Sequence, residues 1–181
     1  EMCIRDRDGL WAIVAWLNIL AFANKEHAGT SVADVLQAHY KQYGRNFFSR
    51  YDYEEVESAG AQTMMSELRA KVTDPAFLGS TQGSFKVAEA GDFSYTDPID
   101  HSVSKNQGLY VRMEDGSRIV FRLSGTGSAG ATIRLYVEKY SSMAAEYAAD
   151  VQEALRPIID VALQLSALQR HTGRKEPTVI T

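Results

Sequence analysis

The sequence has little cysteine and proline: among its 181 residues there are one cysteine, Cys3, and four prolines. A single cysteine cannot form an intramolecular disulfide, so the composition is typical of a reducing compartment, and we expect a cytoplasmic protein. With 45% hydrophobic residues, the composition is that of a globular rather than a disordered chain. Its length suits about one domain with a short flanking segment.

Positive charge is also scarce, because 19 Lys and Arg residues stand against 23 Asp and Glu residues, a formal net charge of −4. A nucleic-acid partner usually requires a concentrated basic face, so this balance argues against such a partner. Any anion bound here must be held by a local site rather than by the overall field. The histidines show neither metal-ligand nor catalytic-triad spacing, and the sequence predicts no metal site.

Long hydrophobic runs are absent too. The apolar stretch from Leu10 to Ala23 is interrupted only by Asn18, but a membrane-spanning helix requires about 20 apolar residues. We therefore expect no membrane partner. A helix that is apolar on all sides is typically buried on all sides, so we expect Trp11 and Trp16 to pack in a core or a domain interface. Residues 24–30 predict a loop and a domain boundary.

The pattern of periodicity and turn residues predicts an α+β fold, in which an antiparallel sheet is covered by helices on one face. Consecutive strands joined by tight turns, one of them containing Asp115-Gly116, indicate antiparallel pairing. The segment from Asp74 to Ser104 is rich in turn residues and predicts only short strand-like pieces. The predicted helices are 10–23, 32–43, 57–71 and 151–170, and the predicted strands are 47–53, 108–113, 117–123 and 131–140.

Four acidic residues lie close together in the sequence: Asp52, Glu54, Glu55 and Glu57. Such a run can indicate a metal site, but carboxylates also complement the positive end of a helix dipole. Because a helical pattern follows at once, we interpret the run as the start of the predicted helix 57–71.

The most informative segment runs from Ser117 to Glu138 and predicts two strands separated by a glycine-rich loop. Alternate residues of a strand share a face. Arg122 therefore lies on the face opposite the apolar residues of its strand, and Arg134 lies opposite those of the next strand. Both arginines flank the same loop.

The loop from Ser124 to Gly130 supplies hydroxyl groups at Ser124, Thr126 and Ser128. Its glycines allow backbone N–H groups to turn inward as an anion nest, and arginine donors match the geometry of phosphate oxygens. The segment therefore predicts a phosphate cradle. The alternative is a mobile hairpin loop with solvated arginines, and composition with alternation leaves both open. A nucleotide P-loop is disfavoured, because the loop lacks the Lys-Ser/Thr pair and precedes a strand.

At these residues the sequence resembles a known family. The motif RLSGTGSAGATIRLY is similar to the phosphate-binding signature in the last domain of phosphoglucomutases, the glucose-directed branch of the α-D-phosphohexomutase superfamily. The resemblance runs from Asp8 onward and includes DGLWAIVAWLNILA, YGRNFFSRYDYEEVE, NQGL and TGRKEPTVIT. It implies interconversion of glucose 1-phosphate and glucose 6-phosphate through a phosphoserine. It also implies Mg²⁺ and glucose 1,6-bisphosphate as cofactors of the full-length enzyme, neither of them bound by this chain alone.

The resemblance implies that the fourth domain of the family grips the substrate phosphate that is not being transferred. The family's catalytic serine loop, metal loop and sugar-recognition loop have no equivalent in this sequence, so we expect no catalytic residue here and no activity from this fragment alone. The implied partners are a phosphosugar and the upstream domains of the parent chain. Arg50, in the NFFSRYDY segment, is expected near the cleft. The implied phosphate-binding residues are Arg122, Ser124, Gly125, Thr126, Gly127 and Arg134.

The resemblance also implies a division of the chain. Residues 1–7, EMCIRDR, do not continue the family pattern, and we expect them to be a non-native leader such as translated adapter sequence. Residues 8–29 resemble the terminal helix of the third domain with its linker, and residues 30–181 resemble the C-terminal phosphate-binding domain. Without the rest of the third domain, the first helix is expected to expose an apolar face.

Two alternatives are open at the level of sequence. A structural or adhesion-associated relative of phosphoglucomutase without activity would keep this fold, and an upstream region lacking the catalytic serine would favour it. A mutase acting on mannose or glucosamine phosphates is disfavoured, because those branches resemble the long motif less closely.

Overall fold

The computed structural model of the chain describes residues 8–127 and 130–181. The expected leader, residues 1–7, and the predicted hydroxyl of Ser128 lie outside the described residues, and Thr126 and Gly127 are described as backbone only. The chain divides into two compact units, which part after Arg45; residues 142–147 belong with the first unit. This division falls later than the boundary predicted before residue 30, and the domain assignment itself stays a prediction.

The first unit contains two capped helices, α1 (Gly9–Glu26) and α2 (Val32–Tyr43). The side chain of Asp8 caps α1 by accepting hydrogen bonds from backbone N–H groups of the first turn. Ser31 and Asp34 form a capping box at the start of α2, in which each side chain accepts a backbone N–H of the other. These caps explain why α2 begins where the sequence predicts.

Helix α1 is largely exposed, with only Ala15, Leu20, Ala23 and Asn24 half-buried, which differs from the burial predicted for it. None of its residues is buried, and Leu10 is 73% exposed and Trp11 51%. One neighbouring helix, α2, cannot cover an apolar surface that extends all round α1. The predicted packing of Trp11 and Trp16 is therefore wrong for a core within the described residues, whereas their packing in a domain interface stays a prediction. The expected exposed apolar face is present. No helix in the described ranges is long and apolar enough to cross a membrane.

The second unit is an α+β layer in which one seven-stranded sheet packs against helices. Its strands are β1 (Arg45–Val56), β2 (Thr81–Gln82), β3 (Phe85–Thr96), β4 (Val103–Met113), β5 (Arg118–Gly127), β6 (Gly130–Ser141) and β7 (Val179–Ile180). The α-helices are α3 (Ser58–Val72), α4 (Val151–Ser166) and α5 (Leu168–Thr172). The strand order is β2-β3-β4-β5-β6-β1-β7, with antiparallel pairing. The predicted fold class is confirmed.

The core lies between the helices and one face of the sheet. Alternate residues of the two central strands point to this face, where Ile119, Phe121, Ile133 and Leu135 are fully buried. Burying a large apolar side chain stabilises a fold by about 1.5–3 kcal/mol. We call the opposite side of the sheet, where residues such as Arg122 are exposed, the open face. Within the predicted helix 151–170, the apolar residues at helical spacing predict a buried stripe, and each of them is buried, namely Leu155, Ile158, Ala162, Leu165 and Leu168.

Two regions differ from the sequence prediction. The turn-rich segment 74–104, predicted as short strand-like pieces, contains the whole of the long strand β3 and the first two residues of β4, and the β3–β4 ladder contains irregularities. Pairing with a neighbouring strand stabilises residues of low intrinsic strand preference, so composition alone does not reveal these strands. The last predicted helix is divided at Ala167, whose φ of +46° is left-handed and ends α4 before α5 begins.

The interpretation of the acidic run as a helix start is wrong for three of its four residues. Asp52, Glu54 and Glu55 lie in β1. Glu57 stands just before α3, but its side chain forms no capping hydrogen bond with the described residues. β1 is paired with β6 on one edge and β7 on the other, and these ladders override the local preference for a helix.

Tyr53 makes the stability of the second unit sensitive to alkaline pH. Burial raises the pKa of Tyr53 to about 12, so the folded state retains a proton that the unfolded state releases near pH 10. The stabilising effect is complete below about pH 10 and is lost as the pH rises to about 12, at a cost on the order of 2 kcal/mol. We expect Tyr53→Phe to reduce this alkaline loss, as measured by urea unfolding across that range. The exposed Tyr95→Phe is the control, and equal alkaline losses in the two variants would contradict the assignment.

Candidate anion-binding site

The candidate site lies on the open face, where β5, β6 and β1 are neighbours in the sheet. Phe121 and Ile133 point into the core, so the residues next to them in the chain, Arg122 and Arg134, point to the open face. Both arginines thus lie opposite apolar stripes, as the alternation predicts.

Arg122 and Arg134, which we call the arginine pair, are direct cross-strand neighbours in the β5–β6 ladder. Side chains in such a pair have Cβ atoms about 4.5–5.5 Å apart, and like charges at this distance are destabilising. An anion bound between the two guanidinium groups would remove the repulsion and accept charge-assisted hydrogen bonds. The arrangement therefore favours a negatively charged ligand.

The turn between β5 and β6 is irregular at the predicted loop. Ser124 pairs with Thr132 and Gly127 with Gly130, and the register shifts between these two pairs. Gly125 has a φ of +65°, in the left-handed region that favours glycine. A left-handed residue next to others of different conformation can turn successive N–H groups to one side, as an anion nest requires.

The structure brings together the members of the predicted cradle whose side chains it describes. Arg122, Ser124 and Gly125 lie at the end of β5, and Arg134 lies opposite Arg122 on β6. Thr126 and Gly127 continue the backbone of β5, and Ser128 lies outside the described residues. The phosphate-binding role of this set stays a prediction.

Arg50 is connected to the site by Asp52, which the sequence analysis did not identify as a site residue. The side chain of Asp52 is only 6% exposed, and its Oδ1 lies 2.9 Å from Nε of Arg50. Its Oδ2 lies 3.8 Å from Nε of Arg134. One buried carboxylate therefore connects Arg50 with the arginine pair. Alternation within the predicted strand 47–53 already places Arg50 and Asp52 on the same face, but Asp52 was interpreted with its acidic neighbours as part of a helix start.

The cluster of Arg50, Asp52 and the arginine pair has an excess of positive charge, since three arginines surround one carboxylate. Two other arginines of the open face are neutralised by acidic partners, Arg112 by Glu89 at 3.1 Å and Arg118 by Glu138 at 2.6 Å. No carboxylate in the described ranges pairs with Arg122. This end of the open face thus has the local positive charge that an acidic protein needs to hold an anion.

Two clefts adjoin the cluster along the open face. One has a volume of about 480 Å³ and is lined in part by Arg122, Phe93 and Tyr110. The other has a volume of about 450 Å³ and is lined in part by Arg50 and Tyr136. Each cleft places an arginine of the cluster beside aromatic side chains, so there is space for the uncharged part of a ligand next to the charge.

The described residues of the site suit binding and orientation of a ligand. In the first cleft the hydroxyl of Tyr110 donates a hydrogen bond to Oε1 of Glu89 at 2.8 Å, and this bond raises the pKa of Tyr110 above its ordinary value of 10.0. The phenol therefore stays a neutral donor at physiological pH. Among residues 8–127 and 130–181, no cluster of three or more His, Cys, Asp or Glu side chains is arranged to hold a metal ion.

Comparison with protein families identifies the part of the chain that contains the site. The sequence model of the C-terminal domain of phosphoglucomutase-1 matches residues 45–178. This range includes β1, β5 and β6, and therefore includes every residue of the cluster described above.

Phosphoglucomutases of distant organisms are similar to this chain over almost its whole length. Phosphoglucomutase-1 of Homo sapiens is 53% identical over 182 residues, covering 98% of this chain and 32% of the human protein. The chloroplastic phosphoglucomutase 1 of Marchantia polymorpha is 51% identical, covering 98% of this chain and 28% of that protein. The chain therefore spans less than a third of the length of these relatives.

A solved structure of a relative has the same fold. The open form of parafusin from Paramecium, an exocytosis-sensitive phosphoprotein and phosphoglucomutase, superimposes with a TM-score of 0.80 at 47% identity. The superposition covers 96% of this chain and 29% of the parafusin chain.

Gly130 is required at the start of β6 for two reasons. Its φ is +91°, and a Cβ atom there would lie 3.2 Å from both Cα of Glu55 and the carbonyl oxygen of Val56. Gly116 has a similar φ of +86° but open space around the Cβ position. We expect Gly116→Ala to cost about 1 kcal/mol through backbone strain alone. Gly130→Ala should cost about 1–3 kcal/mol more, because the β1 backbone must move.

Urea unfolding of the two alanine variants measures the difference directly. Equal losses of stability for Gly116→Ala and Gly130→Ala would show that β1 does not restrict the start of β6.

Proposed function

Since this chain belongs to the family of phosphoglucomutase-1 C-terminal domains, we propose that it holds the phosphate group of a glucose phosphate in a phosphoglucomutase. The observation that supports this proposal most directly is the arginine pair. Arg122 and Arg134 face each other across the β5–β6 ladder, and a phosphate can accept bidentate hydrogen bonds from such groups. The loop that follows Arg122 adds the Ser124 hydroxyl and the backbone of Gly125, Thr126 and Gly127.

In the proposed reaction, the parent enzyme interconverts glucose 1-phosphate and glucose 6-phosphate. The cradle holds the phosphate that is not being transferred, and the glucose 1,6-bisphosphate intermediate reorients so that either phosphate can occupy it. Arg50 lies at the edge of the same cluster, where it adds positive charge. Holding one end of the substrate fixes the reacting end, and positioning of this kind can lower a barrier by roughly 7–11 kcal/mol in favourable cases.

The catalytic serine and the magnesium ligands are assigned to the upstream domains of the parent chain, which are the proposed partners. The described residues do not fit a magnesium site, because they contain no cluster of suitable ligands. We therefore propose that magnesium is bound by the upstream domains of the parent enzyme, which we expect in the cytoplasm.

Binding of glucose phosphates tests the cradle. We expect the chain to bind glucose 6-phosphate and glucose 1-phosphate but not glucose, as measured by calorimetry at fixed ionic strength. Arg122→Ala and Arg134→Ala should each weaken binding by about tenfold or more, the loss expected for charge-assisted hydrogen bonds. Arg170→Ala, which removes an exposed arginine paired with Glu67, should change the dissociation constant less than about twofold, as is typical of a surface ion pair.

If all three arginine variants bound alike, the affinity would reflect general surface charge, and the assignment of the arginine pair would be wrong. Circular dichroism of each variant shows that the comparison is made between folded chains.

An activity assay of the chain by itself tests whether the catalytic groups lie in the upstream domains of the parent enzyme. We expect no interconversion of glucose 1-phosphate and glucose 6-phosphate when the chain is assayed with magnesium and glucose 1,6-bisphosphate. Addition of a complete phosphoglucomutase provides the positive control in the same buffer. Turnover by the chain alone, abolished by Arg122→Ala, would place catalytic groups within it and overturn this part of the proposal.

The likeness to parafusin, described both as an exocytosis-sensitive phosphoprotein and as a phosphoglucomutase, favours a second candidate: a parent protein in which the fold serves a structural or secretory role, and which would lack mutase activity if its catalytic serine loop were absent. Phosphate binding is expected in both cases, so it does not separate them. The sequence of the parent gene upstream of Asp8 does, because the catalytic serine loop is required by the enzyme alone.

A further inference from the structure

Asp52 is a buried carboxylate on a sheet face that is otherwise partly open. Its backbone is fixed on one edge by β7, since Asp52 pairs with Val179 and its carbonyl accepts a 2.7 Å hydrogen bond from the N–H of Thr178. β6 borders the other edge of β1. A carboxylate held this rigidly and removed from water needs cationic partners nearby.

The two oxygens of Asp52 face two different arginines, and both contacts use the same guanidinium nitrogen. Oδ1 faces Nε of Arg50 at 2.9 Å, and Oδ2 faces Nε of Arg134 at 3.8 Å. Both Nε atoms are buried, and neither forms a well-aligned hydrogen bond with any described residue. An arginine has five N–H donors, four of them on its two Nη atoms. No described residue bonds to the Nη atoms of Arg50 or Arg134, so these donors are available to a ligand.

Other arginines of the open face are held in the opposite way. Arg112 contacts Glu89 through Nη1, and Arg118 contacts Glu138 through Nη2. In each of them one outer nitrogen faces a carboxylate, whereas Arg50 and Arg134 face Asp52 with the inner nitrogen of the guanidinium group. An arginine that contacts a carboxylate through Nη neutralises it, whereas an arginine that contacts a carboxylate through Nε can direct its Nη donors toward a bound anion.

We propose that Asp52 is a positioning residue of the anion site: it holds Arg134, and with it Arg50, by the Nε atoms and directs their Nη donors toward the ligand beside Arg122. The role rests on the proposed function, in which the ligand is a phosphate group. Without Asp52, the repulsion within the arginine pair would turn Arg134 away from Arg122.

The proposal and simple electrostatics predict opposite effects of removing the Asp52 charge on the affinity for an anion. Asp52 is negatively charged and lies close to the site, so removing its charge should strengthen anion binding if it acts only through the field. If it acts by positioning Arg134, removing its charge should weaken binding instead. The isosteric substitution Asp52→Asn separates the two effects, because it keeps the volume of the side chain.

The matched control is Asp92→Asn. Asp92 also contacts an arginine through Nε, at 2.6 Å from Arg69, and its side chain is likewise largely buried. Asp92 pairs with Leu109 in the β3–β4 ladder, and Leu109 is buried in the core, so this ion pair lies on the helical side of the sheet. The two substitutions change net charge equally, and each removes an ion pair with an arginine Nε, which for Asp92 is also a hydrogen bond. Asp92 is remote from the arginine pair.

Titration of the whole chain with inorganic phosphate, followed by calorimetry, is the first measurement. We expect Asp52→Asn to weaken phosphate binding by about tenfold, comparable to the loss of one charge-assisted hydrogen bond, and Asp92→Asn to leave it within about twofold, as for a remote charge. In the Arg134→Ala background, Asp52→Asn should weaken binding less than it does in the unsubstituted chain, because only the contact of Asp52 with Arg50 is left to lose. Unfolding curves report any general loss of stability.

A second measurement does not depend on phosphate. The Nε–H resonances of Arg50 and Arg134 in ¹⁵N NMR spectra should show restricted motion in the unsubstituted chain and in Asp92→Asn, and free rotation in Asp52→Asn. Loss of this restriction together with weaker phosphate binding supports the proposal. Unchanged or tighter binding by Asp52→Asn, or mobile Nε–H groups in the unsubstituted chain, overturns it while the cradle of Arg122 stands. Failure of the unsubstituted chain to bind phosphate overturns the proposed function and, with it, this role of Asp52.

Discussion

The pairing register between β5 and β6 is the constraint on which the anion site depends. In this register Phe121 and Leu135 are partners in the core, and Arg122 and Arg134 are partners on the open face. A shift of one strand by a single residue would move its arginine into the core and its apolar residues into water. The apolar burial that stabilises the sheet therefore also brings two like charges together. A register shift that separated the two arginines would bury one of them in the core, so the core prevents it.

Local periodicity was sufficient to predict the strands and helices that have one apolar and one polar face. The alternation around Arg122 and Arg134, the stripe from Leu155 to Leu168 and the capped helix α2 are all visible in the sequence, because each depends on neighbours within a few positions. The family model adds that residues 45–178 match a phosphoglucomutase-1 C-terminal domain. The predictions succeeded where packing and local preference agree.

Features that depend on distant residues could not be predicted in this way. β3 gains its stability from pairing with β4, and its glycine, serine and aspartate content conceals this, whereas only the 108–113 part of β4 was predicted. Asp52 was assigned to a helix start because its acidic neighbours suggested one, whereas its partners Arg134 and Val179 are far along the chain. Helix α1 shows the converse, since its pattern predicts burial that its own unit does not provide.

The pairing of β1 with β7 has a consequence for the order of folding during synthesis. Ser49 donates a hydrogen bond to the carbonyl oxygen of Thr181, 132 positions later, and Arg50 exchanges two backbone hydrogen bonds with the same residue. A ribosome adds about 5–20 residues per second, so β1 waits for several seconds with this edge unpaired while the intervening strands emerge. Contacts of such long sequence separation form slowly. The strand that contains Arg50 and Asp52 is therefore completed only after translation has supplied residues 179–181, and until then its exposed edge is available to chaperones or to another nascent chain.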